Sequence, residues 1–223
     1  MKQYFGPTVL ALVIAGPVTP FDTTAAAQSI PGQTGDRAAV VDVLGGSAIF
    51  DAGTNISAIN VHGKSTNLGG RAQIRQAGDV ITIEQMEARL AVKTITTGMG
   101  LRDEHMRKYV FTTGDGQTPD LKFTGDRADC ASVPGGGGES ICKISGQLEI
   151  RGTPRPFAIT LKVNKAGDAY RAAGDGTVKL SAYSIPQPSQ FGVTTTDDVK
   201  LHIEFTAKPP ITNQLEARAG GIR

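Results

Sequence analysis

The chain has 223 residues, 39% of them apolar, with 28 glycines and no tryptophan, which favours one β-rich, turn-rich domain over a packing of long helices. Its 23 Lys and Arg nearly balance 21 Asp and Glu. No run of like charge exceeds two or three residues, which excludes the basic stripe that a nucleic-acid partner requires.

Residues 1–27 open with Lys2, continue through a short apolar run from Thr8 to Ala15 and end in Ala25-Ala26-Ala27. This pattern predicts a cleaved secretion signal and hence a periplasmic or secreted protein. The run is far short of the ~20 residues that span a bilayer, so no integral membrane span is expected in the mature protein. Residues 28–37 read as a polar linker. Over 38–208 the chain becomes a series of short apolar runs punctuated by turn residues, and strands are expected near 38–44, 46–52, 55–62, 70–76, 79–93, 119–130, 141–151, 156–164, 169–183 and 197–208.

The clearest alternation sets Phe157, Ile159, Leu161 and Val163 against Ala158, Thr160, Lys162 and Asn164. Val199, Leu201, Ile203 and Phe205 repeat it, as do Leu148 and Ile150, so each of these strands has one apolar and one wet face. In 79–93 the parity changes between Ile81-Ile83 and Met86-Ala88-Leu90, which predicts a single-residue bulge near Glu84. The only helical stripe beyond the leader covers 98–109. With one short helix and sequential strands, the apolar faces must meet each other in a sandwich or a closed barrel. The segment 209–223 has no apolar pattern and is expected to be a mobile tail.

Candidate chemistry is sparse. Cys130 and Cys142 flank a stretch containing four consecutive glycines, Gly135 to Gly138, and read as a disulfide across its base. Their spacing does not match a zinc site. The glycines lack the Lys-Ser/Thr of a phosphate loop. Arg102-Asp103-Glu104-His105 offers a cation, acids and a base within one turn, but on a helix these side chains fan round the surface rather than converge. His62 and His202 fall in strands, where an outward, hydrogen-bonded histidine is the ordinary outcome. No nucleophile elbow, triad, metal cluster or dinucleotide fingerprint can be assembled, so no catalytic residue, cofactor or metal is expected and the chain reads as a non-enzyme.

Four stretches taken in order resemble the YceI-like family: Gly63-Lys-Ser-Thr-Asn-Leu-Gly-Gly70, Thr97-Gly-Met-Gly-Leu-Arg-Asp-Glu-His-Met-Arg107, Pro119-Asp-Leu-Lys-Phe-Thr124 and Ser145-Gly-Gln-Leu-Glu-Ile-Arg-Gly152. They are preceded by Val41, Asp42 and Ser47 and followed by Asp198-Val-Lys-Leu-His-Ile-Glu-Phe205. The resemblance implies an all-β, antiparallel, eight-stranded lipocalin-like barrel over 38–208 with one short helix, exported, and holding a polyisoprenoid or similar isoprenoid or fatty acyl lipid in its lumen. Eight strands can just enclose one ligand. The stretch 184–193 departs from the family, keeping Phe191-Gly192 but not the charged residues expected before them. Leu101 before Arg102 and the cysteine pair are further departures, and all three bear on which ligand is held.

On this reading the lumen is lined by Met86, Leu90, Phe123, Leu148, Ile150, Phe157, Ile159, Leu161, Leu180, Leu201, Ile203 and Phe205. The 98–111 and 184–193 segments flank its mouth, where Arg102, His105 and Tyr183 are candidates for a head group. The protein is expected to be a monomer or homodimer. The alternative is an interaction module for envelope stress, with the same barrel and a filled core.

Overall fold

Period-two alternation sends every second side chain of a strand indoors. β7 (Glu139–Ile150) shows it plainly, with Cys142, Ile144, Leu148 and Ile150 buried and Lys143, Ser145 and Gln147 exposed. The computed structural model describes residues 37–78 and 80–210; the expected leader over 1–27, the linker up to 36 and the tail from 211 onward lie outside the described residues. The other strands are β1 (Arg37–Thr54), β2 (Val61–Ser65), β3 (Leu68–Ala77), β4 (Val80–Leu90), β5 (Leu121–Gly125), β6 (Ala128–Ser132), β8 (Thr153–Ala166), β9 (Ala169–Lys179), β10 (Ser189–Gln190) and β11 (Val193–Lys208). Among the described residues one α-helix, α1 (Gly100–Met106), runs into a π-helical turn over Arg107–Phe111.

Every ladder between these strands is antiparallel, and β11 pairs back onto β1 to close the sheet. β5 and β6 share the same neighbours, β4 and β7, and so act as one stave. The ring therefore has eight staves, in the order β1, β3, β4, β5/β6, β7, β8, β9 and β11. This is the eight-stranded barrel that the family resemblance implied and one of the two arrangements, sandwich or closed barrel, that the alternation left open, and its closure leaves the ring without an unpaired edge. In the β3–β4 ladder Gln73 faces Gln85 and Ile74 faces Ile83. Glu84 is the extra residue, at the bulge that the change of parity predicted.

Several strand expectations are corrected. Segments 38–44 and 46–52 are one strand, bent at Leu44 where the register with β11 slips. The strand expected over 55–62 begins only at Val61. The Thr54 hydroxyl donates to the carbonyls of Ile56 and Ile59 and accepts from the Ile56 amide, offering the backbone a turn instead of a ladder. The run 119–130 breaks between Gly125 and Ala128. The run 169–183 ends at Lys179, where Asp197 accepts from both the amide and the hydroxyl of Ser181 and holds a 3-10 turn over Ser181–Tyr183.

The barrel has two unlike ends. At one, Val41, Ile74, Ile81, Ile83, Ile144, Leu161 and Val163 pack with the disulfide-bonded Cys130 and Cys142. These cysteines face each other across the β6–β7 ladder, and the glycine hairpin 133–138 projects from this end. At the other, α1 and the 184–195 segment lie over the ring.

Replacing Cys130 and Cys142 together by Ala reopens a loop of this length in the unfolded chain and should lower stability by about 2–3 kcal/mol. Urea unfolding checks this: the midpoint should fall while the far-ultraviolet spectrum of the folded protein is unchanged.

Candidate functional site

Above the packed end the inward side chains no longer fill the centre of the ring, although Leu148, Ile150, Val178 and Leu180 still pack in a second apolar cluster. The inward side chains here enclose a cavity of about 990 Å³ that extends to the rim. Its wall takes Ala48, Phe50 and Ala52 from β1, Met86, Ala88 and Leu90 from β4, Leu148 and Ile150 from β7, Phe157 and Ile159 from β8, Val178 from β9, and Val199, Leu201, Ile203 and Phe205 from β11. A second cavity of about 50 Å³ lies at the packed end. Val43, Met86 and Phe205 border both and form the floor between them.

Two aromatic rings in this wall depend on glycines across the ladder. A Cβ on Gly63 would lie 2.2 Å from the Phe50 ring, and one on Gly176 would lie 2.6 Å from the Phe157 ring. The missing side chains let both rings lie against the wall instead of standing into the lumen. Phe157 also meets Phe123 edge to face, with centroids 5.8 Å apart, a favoured aromatic geometry.

The mouth is organised by one buried carboxylate. Asp103 accepts from the Thr96 hydroxyl at 2.7 Å, from the Thr97 amide at 2.7 Å and from the Thr97 hydroxyl. Burial pushes its pKa up, but the hydrogen bonds from Thr97 and Thr96 and the charge of Arg107 outweigh this and hold the carboxyl below its ordinary value. The Arg102 guanidinium donates to the hydroxyl and carbonyl of Thr97, each at 2.8 Å. Arg107 donates to the Ile95 carbonyl at 3.0 Å. Together these tie α1 to residues 95–97, which are themselves bridged to β2 through Thr96 and Lys64.

Eleven of the twelve expected lumen residues border the large cavity. The exception is Leu161, 1% exposed, which lies below the floor in the packed end. Of the expected mouth residues, Arg102 and His105 border the cavity, and His105 stacks edge-on against Tyr109 at 5.8 Å. Tyr183 is corrected. It is buried outside the cavity lining, and its hydroxyl donates to the Leu148 carbonyl at 3.0 Å. Burial pushes its pKa up to about 12, slightly offset by Arg155.

The acid, base and cation expected at 102–105 go separate ways. Asp103 is buried among threonines, Glu104 is exposed and His105 faces the cavity. His62 pairs with Asp51, and His202 pairs with Asp175 and Glu204, all on the outer wall. Among the described residues no group of His, Cys, Asp or Glu side chains could hold a metal ion.

The sequence reading missed Phe50, Ala48 and Ala52, although their alternation in β1 carries the signal. It also missed Met106, Val110 and Phe111 from the helical segment, and Ile185 and Phe191 from the loop before β11. These loop residues have no periodicity by which to find them.

A family model for the YceI-like domain matches residues 40–207. Among solved structures, a polyisoprenoid binding domain from Saccharophagus degradans implicated in plant cell wall breakdown is similar at a TM-score of 0.55 and 15% identity, covering 76% of this chain and 98% of that one. The YCEI protein of Campylobacter jejuni is similar at a TM-score of 0.52 and 19% identity, covering 67% of this chain and 85% of that one. At these identities the likeness speaks for the fold. Comparison with curated proteins finds no match.

Because the Asp103 pKa is lower folded than unfolded, its contribution is complete above the unfolded value of about 3.9 and is lost as pH falls through the lower folded value. The protection of the Thr97 and Asp103 amides against hydrogen exchange, relative to an unstructured chain at the same pH, should therefore fall on acidification below about pH 4. In Asp103→Asn these amides should already exchange fast at neutral pH, with the acid-dependent step gone. An unchanged acid step in that variant would assign it to another group.

Proposed function

We propose that this chain, which belongs to the YceI-like domain family, is a binding protein that holds one long apolar lipid, a polyisoprenoid or a similar isoprenoid or fatty acyl chain, in the barrel lumen. The observation that carries this is the apolar cavity of about 990 Å³ reaching from the floor at Met86 and Phe205 to the rim. It stands at the top of the ~300–1,000 Å³ range typical of small-molecule sites. Family membership and the likeness to a polyisoprenoid binding domain support binding rather than catalysis.

The affinity would come from the tail. Apolar burial contributes about 25 cal/mol per Å², so a few hundred Å² of ligand chain supplies several kcal/mol before association costs. The head group needs little, and among the polar side chains that border the cavity we assign it to His105 and Arg102 of α1. Because Arg102 already donates to Thr97, His105 is the freer of the two.

The leader-like pattern over 1–27 supports export, and a disulfide suits an oxidising compartment such as the periplasm. The alternative, an interaction module with a filled core, is weakened by the size of the cavity.

Native mass spectrometry of the protein from its own cell envelope, with extraction of whatever leaves it, tests the reading. A stoichiometric isoprenoid or acyl chain is expected. Empty protein that also refuses added chains would sink the carrier reading. The double substitution Ala48→Phe with Ala88→Phe fills the lumen at two small positions. Displacing two methylenes of ligand at about 0.8 kcal/mol each should weaken uptake roughly tenfold, while the barrel's circular dichroism stays the same.

A further inference from the structure

Six large apolar side chains border the cavity and are also exposed; Ile49 lies on β1, and the other five, Ile59, Met99, Leu101, Tyr109 and Phe191, lie outside the ring strands at the opening. Scattered exposed apolar residues need no explanation, but a group gathered round one opening does. These five come from three separate segments: the turn before β2, the α1 region and the tip of the β10–β11 hairpin. Phe191 stands out among them. It is 96% exposed and has φ 51°, with Gly192 at φ 80°. Positive φ at both central residues is the tight hairpin turn, a place where Asn or Asp is at home and a bulky ring is an outlier. An aromatic ring held fully in water on a strained backbone gives nothing to the fold.

We infer that this apolar rim docks the mouth of the barrel onto a lipid bilayer, with Phe191 entering the interface, so that the lumen opens directly into the membrane. The inference rests on the carrier reading of the lumen and adds the surface from which the lipid comes. The charges beside the rim favour a bilayer over a second protein. The region 92–109 carries Lys93, Arg102, Arg107 and Lys108 against Glu104 and the buried Asp103, while 184–195 carries no charge at all. Lys93 and Lys108 form no ion pair among the described residues, and Lys108 leans over the Tyr109 ring at 5.2 Å. A basic flank beside an uncharged apolar loop matches anionic head groups above acyl chains, and tyrosine is at home at that boundary. The rim is also continuous with the lumen wall, so a lipid passing through it never leaves apolar surroundings.

The chain has no tryptophan, so Phe191→Trp in the full chain introduces a single reporter at the tip. With vesicles of phosphatidylcholine and phosphatidylglycerol its emission should shift to the blue and be quenched by lipids brominated on the acyl chain. The shift should weaken with phosphatidylcholine alone. The reference is Val80→Trp, an exposed position at the packed end, which should stay silent. No shift at the tip, an equal shift at both positions, or a shift on concentrating the protein without vesicles, as mouth-to-mouth pairing would give, overturns the inference. Uptake of an isoprenoid delivered from ethanol, followed by native mass spectrometry, separates the two readings. Uptake with a silent tip removes the docking surface and keeps the carrier, whereas a responsive tip without uptake does the reverse.

Discussion

The closure of β11 onto β1 is the constraint on which the rest depends. Once eight staves pair in a ring, the radius is set by the backbone ladders and not by the side chains inside. Whether the interior is solid or hollow then follows from what each inward position carries. Toward the packed end, Ile74, Ile81, Ile144 and Leu161 reach across and touch. Toward the mouth, Ala48, Ala52 and Ala88 are too short to do so, and the two phenylalanines beside glycines are turned against the wall. The same ring is a core at one end and a vessel at the other.

The mouth follows a different logic. No ladder holds α1 to the barrel, so polar contacts replace one, and the carboxylate of Asp103 with its threonines and the two arginines holds the segment in place. A cluster that looks chemical in the sequence is thus a fastening. Arg102 and His105 both border the lumen, and Arg102 is already engaged with Thr97. The disulfide sits at the opposite pole, so the covalent bond stiffens the end that is already packed and leaves the opening to weaker forces.

Strand register was readable because alternation is a local signal. Phe157 to Val163, Val199 to Phe205 and the change of parity at Glu84 each follow from a few neighbouring residues. Depth along the barrel axis is not local. Leu161 has the same parity as Ile159, and only the tilt and stagger of the ladders put one below the floor and the other above it. Tyr183 was misread because the strand that would have carried it to the mouth is stopped by a cap from Asp197, fourteen residues later in the chain. Ile59 and Phe191 of the rim lie in turns, where a side chain's direction depends on hydrogen bonds such as those of Thr54 and not on any period.

The floor has a consequence for what the vessel can measure. Val43, Met86 and Phe205 line both of its compartments and stand between them. Shorter residues at these three positions would merge the compartments and lengthen the interior toward Leu161, whereas no side-chain change could widen a ring fixed by its ladders. Girth is therefore a property of the fold and length a property of three residues, so barrels of one architecture can be cut to chains of different length without being rebuilt.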